Sequence, residues 1–180
     1  MATDPARRVV IAEPLTAAAF APFGQVLGAE RGAGRDINLG TAVRFDRAAR
    51  LENMRPAAEP NLAVFRVAAQ TLPFTLTLLE RHPHSTQAFL PLRAARWLIC
   101  AVPSYPDGTP DPAGLRAFLA RDDQGINLRP GVWHHPILAL DEDAVLTMLA
   151  WEDGSGGDCE EHRLERPIVV SAVRGGPPLV

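Results

Sequence analysis

Four of the five histidines in this chain fall in two short runs, His82 and His84 within "ERHPHSTQAF" and His134 and His135 within "RPGVWHHP". Imidazole titrates near neutral pH and ligates transition metals, so such clustering raises proton transfer and metal binding together. His82, His84 and Gln87 present nitrogen and oxygen donors along one short segment. His134 follows the Pro130-Gly131 turn and could reach the same place from a neighbouring strand. The expected metal set is His82, Gln87 and His134, with His84 secondary, and its donors suit a first-row divalent ion such as Ni²⁺, Mn²⁺ or Zn²⁺. Parity adds Glu80. If the strand through Phe74, Leu76 and Leu78 keeps register, Glu80, His82 and His84 share its apolar, inward face, where polar groups are costly without a cavity or ligand. Plainer readings exist. An HxH run is common on solvent-facing strands, and His134 and His135 could simply bond backbone carbonyls. Adjacent strand residues point to opposite faces, so at most one of that pair faces a cavity. His162 reads as a surface residue in an acidic loop.

Arginines accompany the clusters. Arg81, Arg116 and Arg129 flank or interleave them, and Arg44 alternates with Val43 and Phe45. Guanidinium groups bind carboxylates through paired hydrogen bonds, so the set suggests a small anionic substrate.

The elements that must position these residues read as strands. Seventeen prolines and fourteen glycines are dispersed along the chain, which suits many short strands joined by turns. "LPFTLTLLERH" and "INLGTAVRF" alternate with period two, while "ARWLICAVPS" and "AVLTMLAW" read as strands buried on both faces. Thr16 is placed to cap a short alanine-rich helix that Pro22 ends, and Asp111 to cap a turn starting at Pro112. Turns recur at "YPDGTP", "DDQG", "RPG" and "LDEDA". The glycine-rich stretch from "EDGSGGDCEEHR" reads as polar, and "VRGGPPLV" as a loose tail. One mainly β domain over residues 1–180 is expected, an antiparallel sandwich or barrel with few helices and a core from about residue 9 to 165.

Composition narrows the function classes. Hydrophobic residues make up 47% and charged residues 22%, a globular balance, and a net charge of −3 speaks against nucleic-acid binding. No apolar run approaches the ~20 residues of a membrane span, and the first residues lack a signal-peptide core. Cys100 lies in an apolar run far from Cys159, so free thiols and a reducing cytoplasm are expected.

The order of the motifs carries a resemblance. "HPHSTQAFLPL" followed by "GINLRPGVWHHP" resembles the two motifs of the cupin superfamily, with Gly125, Pro130, Gly131 and His134 in the second. Gln87 stands early, where a metal-binding glutamate is usual. More specifically, "LERHPHSTQAFLPL", "LRAFLARDDQGINLRPGVWHHPILAL" and the "IN-x-G" leading to Arg44-Phe45 look like the ureidoglycolate lyase family. That resemblance implies a cupin-type β-barrel of jelly-roll kind, a homodimer, and a role late in allantoin and purine breakdown, releasing urea and glyoxylate. It also implies a divalent metal, nickel foremost, and no organic cofactor.

The implied substrate needs a carboxylate anchor, a base, an acid and a polariser of the hydroxyl oxygen. Arg44, Arg81 and Arg116 are candidates for the anchor, and His82, His134 and Glu80 for the proton transfers. Asn38 and Trp133 could shape the pocket and bind the urea end. Other readings are a different metal-dependent cupin enzyme, such as an isomerase or oxygenase, a cupin binding module for a small carboxylic acid, or a structural β-domain.

Overall fold

Alternating apolar and polar side chains drive much of the chain into strands, and in the computed structural model, which describes residues 8–29 and 33–171, the regular structure is almost wholly β. The first strands are β1 (Val9–Ile11), β2 (Glu13–Pro14), β3 (Gly24–Leu27), β4 (Arg35–Ile37) and β5 (Ala42–Arg44). The middle of the chain supplies β6 (Glu59–Val67), β7 (Ala69–Gln70), β8 (Phe74–Arg81), β9 (Gln87–Arg93), β10 (Arg96–Val102) and β11 (Arg116–Arg121). It continues with β12 (Gly125–Leu128), β13 (Trp133–His134), β14 (Leu138–Leu140), β15 (Ala144–Glu152) and β16 (Glu160–Ser171). Among the described residues helix is confined to one turn, α1 (Ala17–Phe20), and two 3-10 turns. The Thr16 hydroxyl caps α1 by accepting from the Ala19 N–H, and the Asp111 carboxylate accepts from Ala113 ahead of β11, as the sequence indicates.

Two sheets stack face to face. The larger runs β1-β16-β8-β13-β10-β11-β2 with β14 and β7 branching from β10, and the smaller runs β3-β12-β9-β15-β6. Strand β10 lies between two apolar cores, because both of its faces are covered. Trp97, Ile99 and Ala101 join Phe118 from β11 and Phe89, Ile126, Leu128, Leu146 and Met148 from the smaller sheet. Leu98, Cys100 and Val102 join Leu76, Leu79, Ile168 and Val170 on the other side.

The mainly β expectation holds, with corrections. Among the described residues no ladder joins the two sheets, so they form an open double layer rather than a closed barrel. "INLGTAVRF" is a hairpin of β4 and β5, not one strand, because Asn38, Leu39 and Gly40 all take positive φ and reverse the chain. "AVLTMLAW" is buried on one face only. Ala144, Leu146, Met148 and Ala150 are inside, while Val145, Thr147, Leu149 and Trp151 are half-buried. The polar "EEHR" begins the long β16, where pairing to β8 overrides its composition. The "VRGGPPLV" tail lies outside the described residues.

Candidate active site

The two histidine runs meet because β8 and β13 are antiparallel neighbours in which Glu80 pairs directly with His134. Facing residues of such a pair hold their Cβ atoms about 4.5–5.5 Å apart, so their side chains must interact. The buried positions of β8 shift from Leu76 to Leu79, and β16 carries a register irregularity opposite this point, between Arg163 and Ile168. Alternation then turns Glu80 to the face opposite Leu79. Glu80 thus avoids the second apolar core, though not by the uninterrupted parity expected from the sequence. His82 follows just past the strand end. A backbone bond from the Gly131 N–H to the His82 carbonyl, 2.8 Å, ties the Pro-Gly turn to the first cluster.

One donor atom each from Glu80, His82 and His134 lies within 4.8 Å of the others, an arrangement that could hold a metal ion. His134 is buried and its ring is oriented from behind. Nδ1 sits 2.9 Å from the Val132 carbonyl, which can only accept, so Nδ1 carries a proton. In the neutral ring Nε2 is then a bare lone pair. It has no hydrogen-bond partner and lies 3.5 Å from Glu80 Oε1. A lone pair facing a carboxylate is repulsive unless the ring is doubly protonated or a cation lies between them. Ligands about 2.1 Å from an ion stand about 3.0–3.5 Å from one another, a range that includes this separation.

Burial alone would raise the Glu80 carboxyl, but contact with His134 and the charges of His134, His82 and His135 hold it below the usual carboxylate range. Burial, together with neighbouring His134, pushes the His82 imidazole down and favours its neutral, ligating form, against an opposing pull from Glu80.

Two cavities diverge from this cluster, both lined by His82, Gln87 and Glu152. One, of about 330 Å³, adds the side chains of Arg55, Ser155, Asp158 and Cys159. The other, of about 320 Å³, adds Glu80 and an apolar wall containing Phe65, Val67, Phe89, Ile137, Leu146 and Met148. Gln87 is buried between them. Its Nε2 rests 3.5 Å from Met148 Sδ, while its Oε1 has no partner. The opposite amide orientation would set oxygen against sulfur lone pairs. Glu80, Glu152 and Asp158 outweigh Arg55 among the lining groups, a balance that favours a bound cation.

The structure brings together Glu80, His82, His134 and Gln87, with Glu80 supplying a third donor beside the two histidines. It does not bring the other expected residues to them. His84 is exposed, its backbone N–H donating to Asp158. Arg44 is exposed on the β4–β5 hairpin and paired with Asp46, and Asn38 is exposed in the same hairpin's turn. Arg81 is bound by Glu160 and the Gly108 carbonyl, with its guanidinium stacked 4.5 Å over Trp133. Trp133 donates to the Gly108 carbonyl, on the face of β13 away from His134. Arg116 is held by Glu13 and the Ala19 carbonyl. Of the adjacent pair, His135 packs edge-on against Phe74, while His134 joins Glu80 and His82. His162, expected in a surface loop, lies on β16 with its ring against Trp133.

Arg55, like Glu152 and Asp158, is a cavity residue the sequence does not reveal. Its guanidinium is 14% exposed, pairs with Asp153 at 2.9 Å and Asp158 at 3.5 Å, and donates to the Trp151 carbonyl. Asp158 also accepts from the Ser85 hydroxyl, so Arg55 and Asp158 together clamp the loop that follows His82. A lone arginine before a proline carries no spacing signal.

A family profile described as ureidoglycolate lyase matches residues 7–171. A ureidoglycolate lyase from Azotobacter vinelandii is 39% identical over 86% of this chain and 92% of its own length. Another, from Burkholderia mallei, is 43% identical over 87% of this chain and 89% of its own. Among solved structures, a 3,4-ketoisomerase from Helicobacter canadensis matches with a TM-score of 0.42 and 13% identity, covering 76% of this chain and 88% of that one. Both motif clusters that meet at Glu80, His82 and His134 lie inside the matched span, and the chain belongs to the ureidoglycolate lyase family.

Proposed function

We propose that this protein cleaves ureidoglycolate to glyoxylate and urea, as a carbon–nitrogen lyase of the amidine-lyase type acting in allantoin and purine breakdown. The observation that carries the reading is the convergence of Glu80, His82 and His134, with His82 lining both of two adjoining cavities. The reaction is internally balanced. The substrate hydroxyl loses its proton, the carbon–oxygen double bond of glyoxylate forms as the carbon–nitrogen bond breaks, and the departing nitrogen takes a proton. Because one proton leaves oxygen and one reaches nitrogen, a single acid–base group can serve both steps.

The donor set fits a divalent ion, nickel foremost by family resemblance and manganese or zinc by chemistry. Such an ion would supply Lewis acidity at the hydroxyl oxygen. Glu80, His82 and His134 are the residues that would hold it and are indispensable here. Glu152, outside that set and lining both cavities, carries the proton from oxygen to nitrogen. Gln87 Oε1 accepts from the ureido N–H, satisfying an otherwise orphaned buried atom. Arg55, which lines one of the cavities, anchors the substrate carboxylate by exchanging part of its pairing with Asp153 and Asp158 for it, whereas Arg44, Arg81 and Arg116 line neither cavity. Replacing Glu152 with glutamine should lower kcat by about 10²–10⁴-fold at full metal content. Unchanged turnover would remove it from this role.

A single domain accounts for the shared use of β10 by both cores. A second copy of the chain is the partner, supported by Leu62, Val64, Leu90 and Leu92, all exposed on strands of the smaller sheet. Cytoplasmic residence is supported by two free thiols, Cys100 and Cys159. No helix among the described residues is long and apolar enough to cross a membrane.

A further inference from the structure

The apolar cavity has no counterpart in ureidoglycolate. That substrate is a carboxylate, a hydroxyl and a urea group around one carbon, with no hydrocarbon to place against Phe65, Val67, Phe89, Ile137, Leu146 and Met148. Yet these side chains form the apolar wall of a half-open cavity of about 320 Å³ that Glu80, His82, Gln87 and Glu152 also line, a volume at the lower end of cavities that hold drug-sized ligands. The other cavity is lined by Arg55, and the carboxylate is placed on that side, where it takes up part of the guanidinium's pairing with Asp153 and Asp158. With the carboxylate there and the reacting carbon at the junction, the ureido end must point past Gln87 into the apolar cavity. Its distal nitrogen is then the atom from which a substituent would project along the wall. Phe65 and Val67 stand on β6, the last strand of the smaller sheet. Phe65 is 41% exposed and packs against Phe89 at 6.4 Å between ring centroids, forming an apolar rim rather than a sealed end.

We propose that the protein also cleaves ureidoglycolates bearing an alkyl or aryl group on the distal nitrogen, with that group seated in the apolar cavity. This rests on the lyase reading given above. The products are glyoxylate and the substituted urea. The same carbon–nitrogen bond breaks, the hydroxyl proton is lost, the departing nitrogen gains one, and no co-reactant is needed. Chain length should matter because burying a methylene is worth about 0.8 kcal/mol, or about fourfold in kcat/KM, until the cavity is full.

The test measures glyoxylate release from ureidoglycolate and its N′-methyl, N′-propyl, N′-butyl and N′-phenyl derivatives, using metal-loaded protein and no-enzyme controls. kcat/KM should rise from methyl to butyl by up to about fourfold per methylene. The butyl-to-methyl ratio should collapse toward one in Phe65→Asp, which puts a charge on the rim. Should that variant fail to fold, inhibition of the unaltered enzyme by n-butylurea and by urea gives the same comparison, with n-butylurea expected to inhibit at lower concentration. A flat or falling series alongside clear turnover of ureidoglycolate would overturn this inference alone, as would n-butylurea inhibiting no better than urea. Absence of turnover on every substrate, the parent included, would overturn the lyase reading and this inference with it.

Discussion

At the scale of single residues, the site depends on how one imidazole is held. The Val132 carbonyl fixes the proton of His134 on Nδ1 and leaves Nε2 facing Glu80, so the ring is prepared to donate a lone pair. His82→Ala or His134→Ala should therefore reduce kcat by at least about 10²-fold and lower the bound metal per chain measured by elemental analysis. Full metal content and near-normal turnover in both variants would remove these residues from the site. A second residue-scale expectation concerns thiols. Burial pushes the Cys100 thiol up to about 12, so near pH 8 it stays protonated as well as inaccessible, whereas Cys159 is exposed. Mass spectrometry after iodoacetamide treatment should find Cys159 alone modified in the native protein and both cysteines modified after unfolding. Rapid native labelling of Cys100 would contradict its burial. The histidines and Cys100 were legible in the sequence because residue type and local pattern carried the signal. Arg55 was not, since its importance comes only from long-range pairing with Asp153 and Asp158.

At the scale of elements, the site is a matter of register. His134 is brought to Glu80 by a short β13, and the turn before it must reverse at Gly131, whose φ is +76° with open space beyond its Cα. Gly131→Ala should cost about 1–2 kcal/mol from backbone strain alone, read from urea unfolding, and should lower activity because the turn also bonds the His82 carbonyl. Gly24 makes the complementary case. A Cβ there would lie 2.0 Å from the Asn127 carbonyl oxygen, so Gly24→Ala must spread β3 from β12 and cost about 2 kcal/mol or more. A neutral effect of that change would mean the two strands are not packed as described. Strands with strong local alternation, such as β8, and the caps at Thr16 and Asp111 were readable from the sequence. The β4–β5 hairpin was misread as one strand, although Asn38 and Gly40 bracket its turn with residues that tolerate positive φ. The start of β16 was invisible for a different reason, since its polar residues are held by pairing with β8 and have no apolar pattern of their own.

At the scale of the whole molecule, two stacked sheets enclose a core and leave one face of the smaller sheet apolar. Leu62 and Leu92, 68% and 65% exposed, stand on either side of β15, and a second copy seated there would cover them. Leu62→Glu combined with Leu92→Glu should convert a dimer to a monomer in analytical ultracentrifugation, and a wild-type chain that sediments as a monomer would retire the dimer. Sequence motifs foretold a mainly β molecule and the meeting of its histidine clusters. They did not foretell how the sheets stay open at their edges or which arginine enters the cavity, because both are settled by packing between segments far apart in the chain. The most direct measurement is release of glyoxylate and urea from ureidoglycolate by nickel-loaded protein, with folded His134→Ala protein and a no-enzyme reaction run beside it. Equal amounts of both products are expected, well above the uncatalysed rate and largely lost in the variant. Folded, metal-loaded protein that releases neither product above the uncatalysed rate would contradict the lyase reading.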